Sequence, residues 1–101
     1  MIEKRTHPRA PVLLEVLWES DSGKYESRTS DLSLGGCFIQ TSGQLAVGEM
    51  ITFKLRLLTG EWIELHGVVK HERPRIGFGV KFEGLSEETQ KQLAALVNAE
   101  R

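Results

Sequence analysis

Asp31, Ser33, Gly35 and Gly36 bring a carboxylate, a hydroxyl and bare backbone together within six residues. Asp31 and Ser33 are two apart, so in an extended chain both side chains leave from one face, with Leu32 and Leu34 turned toward a core. The Gly35-Gly36 pair can turn through positive φ and lets a neighbour approach the bare main chain. Such a ledge offers acceptors to the N–H groups of a ligand above an unobstructed floor. The same residue types also make plain turns. The stretch therefore reads as a site only if another part of the chain is aimed at it.

The N-terminus supplies that counterpart. Lys4, Arg5, His7 and Arg9 fall within six positions, beside a single Glu3. No apolar period is present, and Pro8 disfavours the helical region for His7, which predicts an extended or kinked arm over residues 1–10. A solvated basic tail is the plain alternative. As a binding element, each guanidinium can fork onto a guanine O6/N7 edge or a phosphate, or stack on a base. Asp31 and Ser33 would accept the donors on guanine's other edge. The ligand this set fits is small, anionic and purine-bearing. Each bidentate arginine contact contributes about 1–3 kcal/mol, and ordering five arm residues costs roughly 1–2 kcal/mol apiece. Arginines alone about break even, so stacking and contacts from the folded body must supply a micromolar affinity of about −8 kcal/mol.

Other chemistries are poorly served. His66 and His71 are five apart, read as opposite faces of one strand, and neither is spaced with Cys37 in a metal pattern. An Asp two residues from a Ser is no general base, so no nucleophile–base pair stands out and no enzyme is expected. Gly77-Phe78-Gly79 lacks the Lys-Ser/Thr of a phosphate loop. A formal net charge of −1 argues against a bulk nucleic-acid binder. A single cysteine fits a reducing compartment. With no transmembrane-length apolar run and no signal-peptide pattern, a cytoplasmic location without membrane insertion is expected.

The elements that must hold these residues are mostly strands. Val12, Leu14, Val16 and Trp18 alternate with polar or outward positions, and Ser20 to Gly23 is a turn. Lys24 to Ser30 reads as a half-exposed strand, and Cys37 to Thr41 as a third. Met50 to Leu58 turns Ile51, Phe53, Leu55 and Leu57 one way, and Thr59-Gly60 is a tight hairpin connection. Glu61 to Glu72 returns with Ile63, Leu65 and Val69 opposite Trp62, Glu64 and His66. The sixth strand carries Ile76, Phe78, Val80 and Phe82 inward, with Gly77, Gly79 and Lys81 outward. Two glycines on one strand face predict close approach of something to that surface. Ser86 caps a terminal helix, with Glu87 and Glu88 in its first turn and Leu93, Leu96 and Val97 as its apolar stripe. The expected fold is all-β with one C-terminal helix: a six-stranded antiparallel β-barrel over 11–84 and a helix over 86–99, in one domain, with a sandwich as the alternative.

Arg5-Thr6-His7-Pro8-Arg9 resembles the RxxxR motif of the PilZ domain family, and Asp31-Leu32-Ser33-Leu34-Gly35-Gly36 resembles its (D/N)xSxxG motif at Asp31, Ser33 and Gly36. Gly77 to Phe82 is similar to the family's closing strand, and the likeness covers essentially the whole chain. The resemblance implies a six-stranded barrel with a C-terminal helix, and a bacterial receptor for the second messenger cyclic di-GMP. It also implies that Arg5 and Arg9 hold guanine edges and phosphates, that Asp31 and Ser33 contact a guanine, and that Gly36 keeps the surface clear. Gly35 and Gly79 are counted with this ligand-binding set. Lys4 occupies the position where an arginine tends to accompany a stacked pair of ligands, so one molecule or two is open. No cofactor or metal is implied. With no further domain following, the expectation is a stand-alone adaptor that signals through an unidentified protein effector. Two other readings compete: a nucleotide-independent interaction module on the same barrel, and an anion or single-strand binder that stacks bases on Trp62.

Overall fold

Alternation of apolar and polar residues sets the architecture. In a computed structural model, which describes residues 13–21 and 23–99, β1 (Leu14–Ser20) turns Leu14, Val16 and Trp18 inward and Leu17 outward. Five strands complete the sheet: β2 (Gly23–Leu32), β3 (Gly36–Gln40), β4 (Met50–Arg56), β5 (Trp62–Arg73) and β6 (Gly77–Glu83). All pairings are antiparallel, and they close a barrel in the order β1-β2-β3-β6-β5-β4. Closure rests on Val16, Leu17 and Trp18 of β1 pairing with Leu55, Lys54 and Phe53 of β4. A closed ring leaves no unpaired edge to template aggregation. The expected fold is therefore observed.

Ile51, Phe53 and Leu55 of β4, Leu65 and Val69 of β5, and Phe78, Val80 and Phe82 of β6 fill the interior. Burial of this apolar set is the dominant stabilising term. The Trp18 indole N–H donates to Ser27 Oγ at 3.0 Å, which satisfies the one polar atom of that buried ring. The helix α1 (Glu87–Ala99) starts where expected. Ser86 Oγ accepts the Thr89 N–H at 3.1 Å, and Leu93, Leu96 and Val97 are buried in the barrel's own core.

Several local readings need correction. Ile76, expected on the inner face of the sixth strand, precedes β6 and is 56% exposed. β4 stops at Arg56, and Leu57 and Glu61 close the hairpin with a 2.7 Å bond from the Leu57 N–H to the Glu61 carbonyl. Its tip is therefore Leu58-Thr59-Gly60 rather than two residues. Ser33 is not part of an extended run, because β2 ends at Leu32. His66 and His71 do not face opposite ways, because a bulge in β5 intervenes between Val69 and His71. That bulge and a second one in β2 shape the candidate site. Lys4, Arg5 and Arg9, with the whole of the 1–10 arm, lie outside the described residues.

Candidate functional site

Two bulges create the face on which the predicted residues meet. In β2, Thr29 pairs with Ile39 and Asp31 with Phe38, so Ser30 is an extra residue. In β5, Val69 pairs with Val80 and His71 with Gly79, so Lys70 is extra. Thr29 and Val69 are fully buried. Strict alternation would bury Asp31 and His71 as well. Each bulge inserts one residue and reverses the facing of its C-terminal neighbours, so both side chains emerge on the outer surface. Through the pairings Asp31–Phe38, Phe38–Gly79 and Gly79–His71, they fall in one row across four strands.

The β2–β3 turn borders this row. Ser33 is 7% exposed. Its Oγ accepts the N–H groups of Gly35 and Gly36 at 3.1 and 3.2 Å, and its hydroxyl donates to the Gly36 carbonyl at 3.3 Å. The Ser33 N–H also donates to that carbonyl at 2.9 Å, and the Phe82 N–H donates to the Gly35 carbonyl at 2.9 Å. The turn is thus braced by its own serine and tied to β6. Leu32 is buried and Leu34 packs against the core, as the sequence predicts.

The glycines act through closeness rather than through positive φ. Gly35 and Gly36 are not among the glycines with positive φ, contrary to the expected turn geometry. Gly36 instead sits against β6, where a Cβ would collide with the Val80 carbonyl oxygen and lie 3.3 Å from the Lys81 Cα. Gly79 is covered by the His71 imidazole, and a Cβ there would come within 2.6 Å of Nδ1. The close approach predicted for the Gly77–Gly79 face is therefore made by the protein itself, by the Ile39 carbonyl and the Phe38 ring at Gly77 and by the His71 ring at Gly79. The Phe38 and His71 rings stand 5.9 Å apart at 23°, and the Arg73 guanidinium carbon lies 5.8 Å from the Phe38 ring.

Asp31, Ser33, Gly35, Gly36 and Gly79 all line one open cavity of about 650 Å³, together with Phe38, Lys70, His71, Arg73 and Lys81. Lys70, Arg73 and Lys81 bring cationic groups to the wall, so the cavity is suited to an anion with a flat aromatic part. Cys37 forms part of its floor from the core side. Burial, with the nearby Asp31 charge adding to it, pushes the thiol up to about 12. It stays protonated at neutral pH and is no nucleophile. No group of His, Cys, Asp and Glu among the described residues could hold a metal ion. Trp62 does not line this cavity; its ring lies 5.7 Å from the Arg56 guanidinium carbon.

Sequence reasoning does not single out Phe38, His71 and Arg73, which line this cavity. The only sequence signal for them is the bare Gly77–Gly79 face, which announces a close neighbour without naming it. No helix among the described residues is long and apolar enough to cross a membrane.

None of the curated proteins matches the chain. Solved structures do. It superposes on the Bacillus subtilis inhibitor of motility MotI/DgrA with a TM-score of 0.82 at 18% identity, covering 97% of this chain and 51% of that one. The PilZ domain of Escherichia coli YcgR with c-di-GMP gives 0.78 at 15% identity, covering 97% and 92%. The K. pneumonia MrkH–c-di-GMP complex gives 0.78 at 17% identity, covering 97% and 52%. The chain spans about half the length of MotI/DgrA and MrkH, and at these identities the likeness is one of fold. The match that reaches from fold to family is the PilZ domain model, which spans residues 3–99 and so takes in both motifs and the barrel that carries them: this chain belongs to the PilZ domain family.

Proposed function

We propose that this chain is a receptor for cyclic di-GMP. The observation that carries the reading is the convergence of Asp31, the Ser33–Gly36 turn and Gly79 on one cation-walled cavity. Asp31 is aimed there by a bulge rather than by ordinary alternation. Membership of the PilZ family and the c-di-GMP named with two of the similar structures support the choice of ligand.

In this reading the Asp31 carboxylate accepts the N1–H and N2–H donors of one guanine. The Ser33–Gly36 turn holds the base edge at the right height, and Ser33 contributes its hydroxyl where its rotation permits. Arg5 and Arg9 fork onto the guanine O6/N7 edge and the phosphates, and Lys4 adds a point charge beside them. The arm gains order on the ligand, and the surface so formed engages a protein effector. Ordering a segment only when the ligand is present makes the binding event a switch. The ligand count, one molecule or a stacked pair, depends on whether Lys4 can substitute for a planar guanidinium.

Titration calorimetry with cyclic di-GMP tests this. Saturable heat is expected from the native protein, with affinity lost by roughly tenfold or more in Arg5→Ala or Arg9→Ala, since each bidentate contact contributes about 1–3 kcal/mol. Unchanged binding by both variants would remove the arm from the mechanism. Absence of both heat and a melting-temperature rise would leave a nucleotide-independent interaction module as the reading.

A further inference from the structure

We infer that His71, backed by Phe38, is the stacking surface for a purine base of the bound nucleotide, an inference that rests on the receptor reading above. The bulge at Lys70 turns His71 out of the core and onto the row that Asp31 joins through the bulge at Ser30. Bulges gather beside binding sites because they re-aim single side chains. Here two of them, in different strands, deliver one carboxylate and one ring to a single face.

The space the ring occupies is also specific. Directly opposite His71 stands Gly79, and any side chain there would displace the imidazole. A bare residue between two aromatic ones lets both rings settle low over the strand. Phe38 is half-buried, with His71 on one flank at 5.9 Å and the Arg73 guanidinium carbon 5.8 Å from its ring. His71 is exposed and lines the cavity, so of the two rings it is the more open to a ligand. Every base has a π-face, and a pre-positioned ring meets it at little ordering cost. Asp31 at the other end of the row then reads the base edge, which stacking alone does not distinguish. Gly79 accordingly serves the ligand indirectly, by making room for the ring that touches it.

The test compares His71→Leu and His71→Phe with the native protein, using cyclic di-GMP as the probe. Loss of a base-stacking ring weakens binding by about fivefold to a hundredfold, so His71→Leu is expected to fall in that range while His71→Phe stays within about threefold of native, the tolerance stacking on any π-face allows. The guanine H8 resonance should move upfield on binding to the native and Phe proteins and lose that shift with Leu. A shape-filling role alone would let Leu serve as well as Phe. Because the side chain is exposed, melting temperatures of both variants should match the native protein. If the native protein binds and His71→Leu binds equally well with the same H8 shift, the inference is overturned while the receptor reading stands. If the native protein does not bind cyclic di-GMP at all, both fall together.

Discussion

Replacing Ser33 by alanine separates the two roles that a serine beside an aspartate can have. Ser33 is nearly buried, and its Oγ takes the N–H groups of Gly35 and Gly36 while its hydroxyl reaches the Gly36 carbonyl. At 3.1 to 3.3 Å these are long bonds, so each lies toward the low end of the usual net contribution of about 0.5–1.5 kcal/mol. Both amides are only part-buried and recover some hydration once the hydroxyl is gone. The net loss for Ser33→Ala is therefore about 1–2 kcal/mol. In a domain of this size that corresponds to a fall in Tm of about 5–15 °C. Urea denaturation should show a lower midpoint with an unchanged m-value, because the surface exposed on unfolding is the same. Asp31→Ala, which leaves the Ser33 hydrogen bonds of the turn in place, is the companion variant. Cyclic di-GMP affinity should fall in both variants, in Ser33→Ala partly through loosening of the turn. An unchanged midpoint for Ser33→Ala together with abolished binding would refute the bracing role and make the hydroxyl purely a ligand contact.

Two further substitutions probe the scaffold. A methyl group at Gly36 would meet main-chain atoms of Val80 and Lys81, which cannot swing aside as a side chain can. Gly36→Ala should therefore cost about 1–3 kcal/mol, the range for overpacking, and slow-exchanging amides between β3 and β6 should lose protection; native-like hydrogen exchange there would contradict the account. Cys37 has a folded-state pKa raised from 9.0 to about 12 by burial first and Asp31 second. A raised pKa on a thiol means the folded state keeps its proton where the unfolded chain loses it, so this stabilisation is intact below pH 9 and is lost as pH rises toward 12. The stability of the native protein should fall relative to Cys37→Val by about 1.4 kcal/mol per pH unit in that window, and parallel pH profiles for the two proteins would show that the thiol does not contribute.

The barrel is legible in the sequence because its signal is redundant. Ile51, Phe53, Leu55 and Leu57, like Phe78, Val80 and Phe82, repeat the same two-residue period, and the helix announces itself with Ser86 and two glutamates. The bulges are not legible. Inserting Ser30 or Lys70 changes no residue's hydropathy; it only shifts which face the next residues take, and that is decided by pairing with a strand distant in sequence. Plain alternation consequently puts His71 on the wrong face, and its meeting with Phe38 over Gly79 cannot be anticipated. For Asp31 the expected direction is reached by a different route. The extended-chain reading ties it to Ser33, whereas the structure separates the two, with Asp31 outward on a strand and Ser33 buried in the turn that follows it.

Binding of cyclic di-GMP, as proposed, falls on the face where Asp31, Phe38, Gly79 and His71 align. An ¹H–¹⁵N correlation titration of the isotopically labelled protein with cyclic di-GMP tests it most directly. Saturable shifts are expected for the Asp31, Gly35, Gly36, Phe38, His71 and Gly79 amides, with Leu17 and Lys54 on the paired β1 and β4 strands unaffected. A spectrum that does not change, or shifts confined to the β1–β4 face, would contradict it.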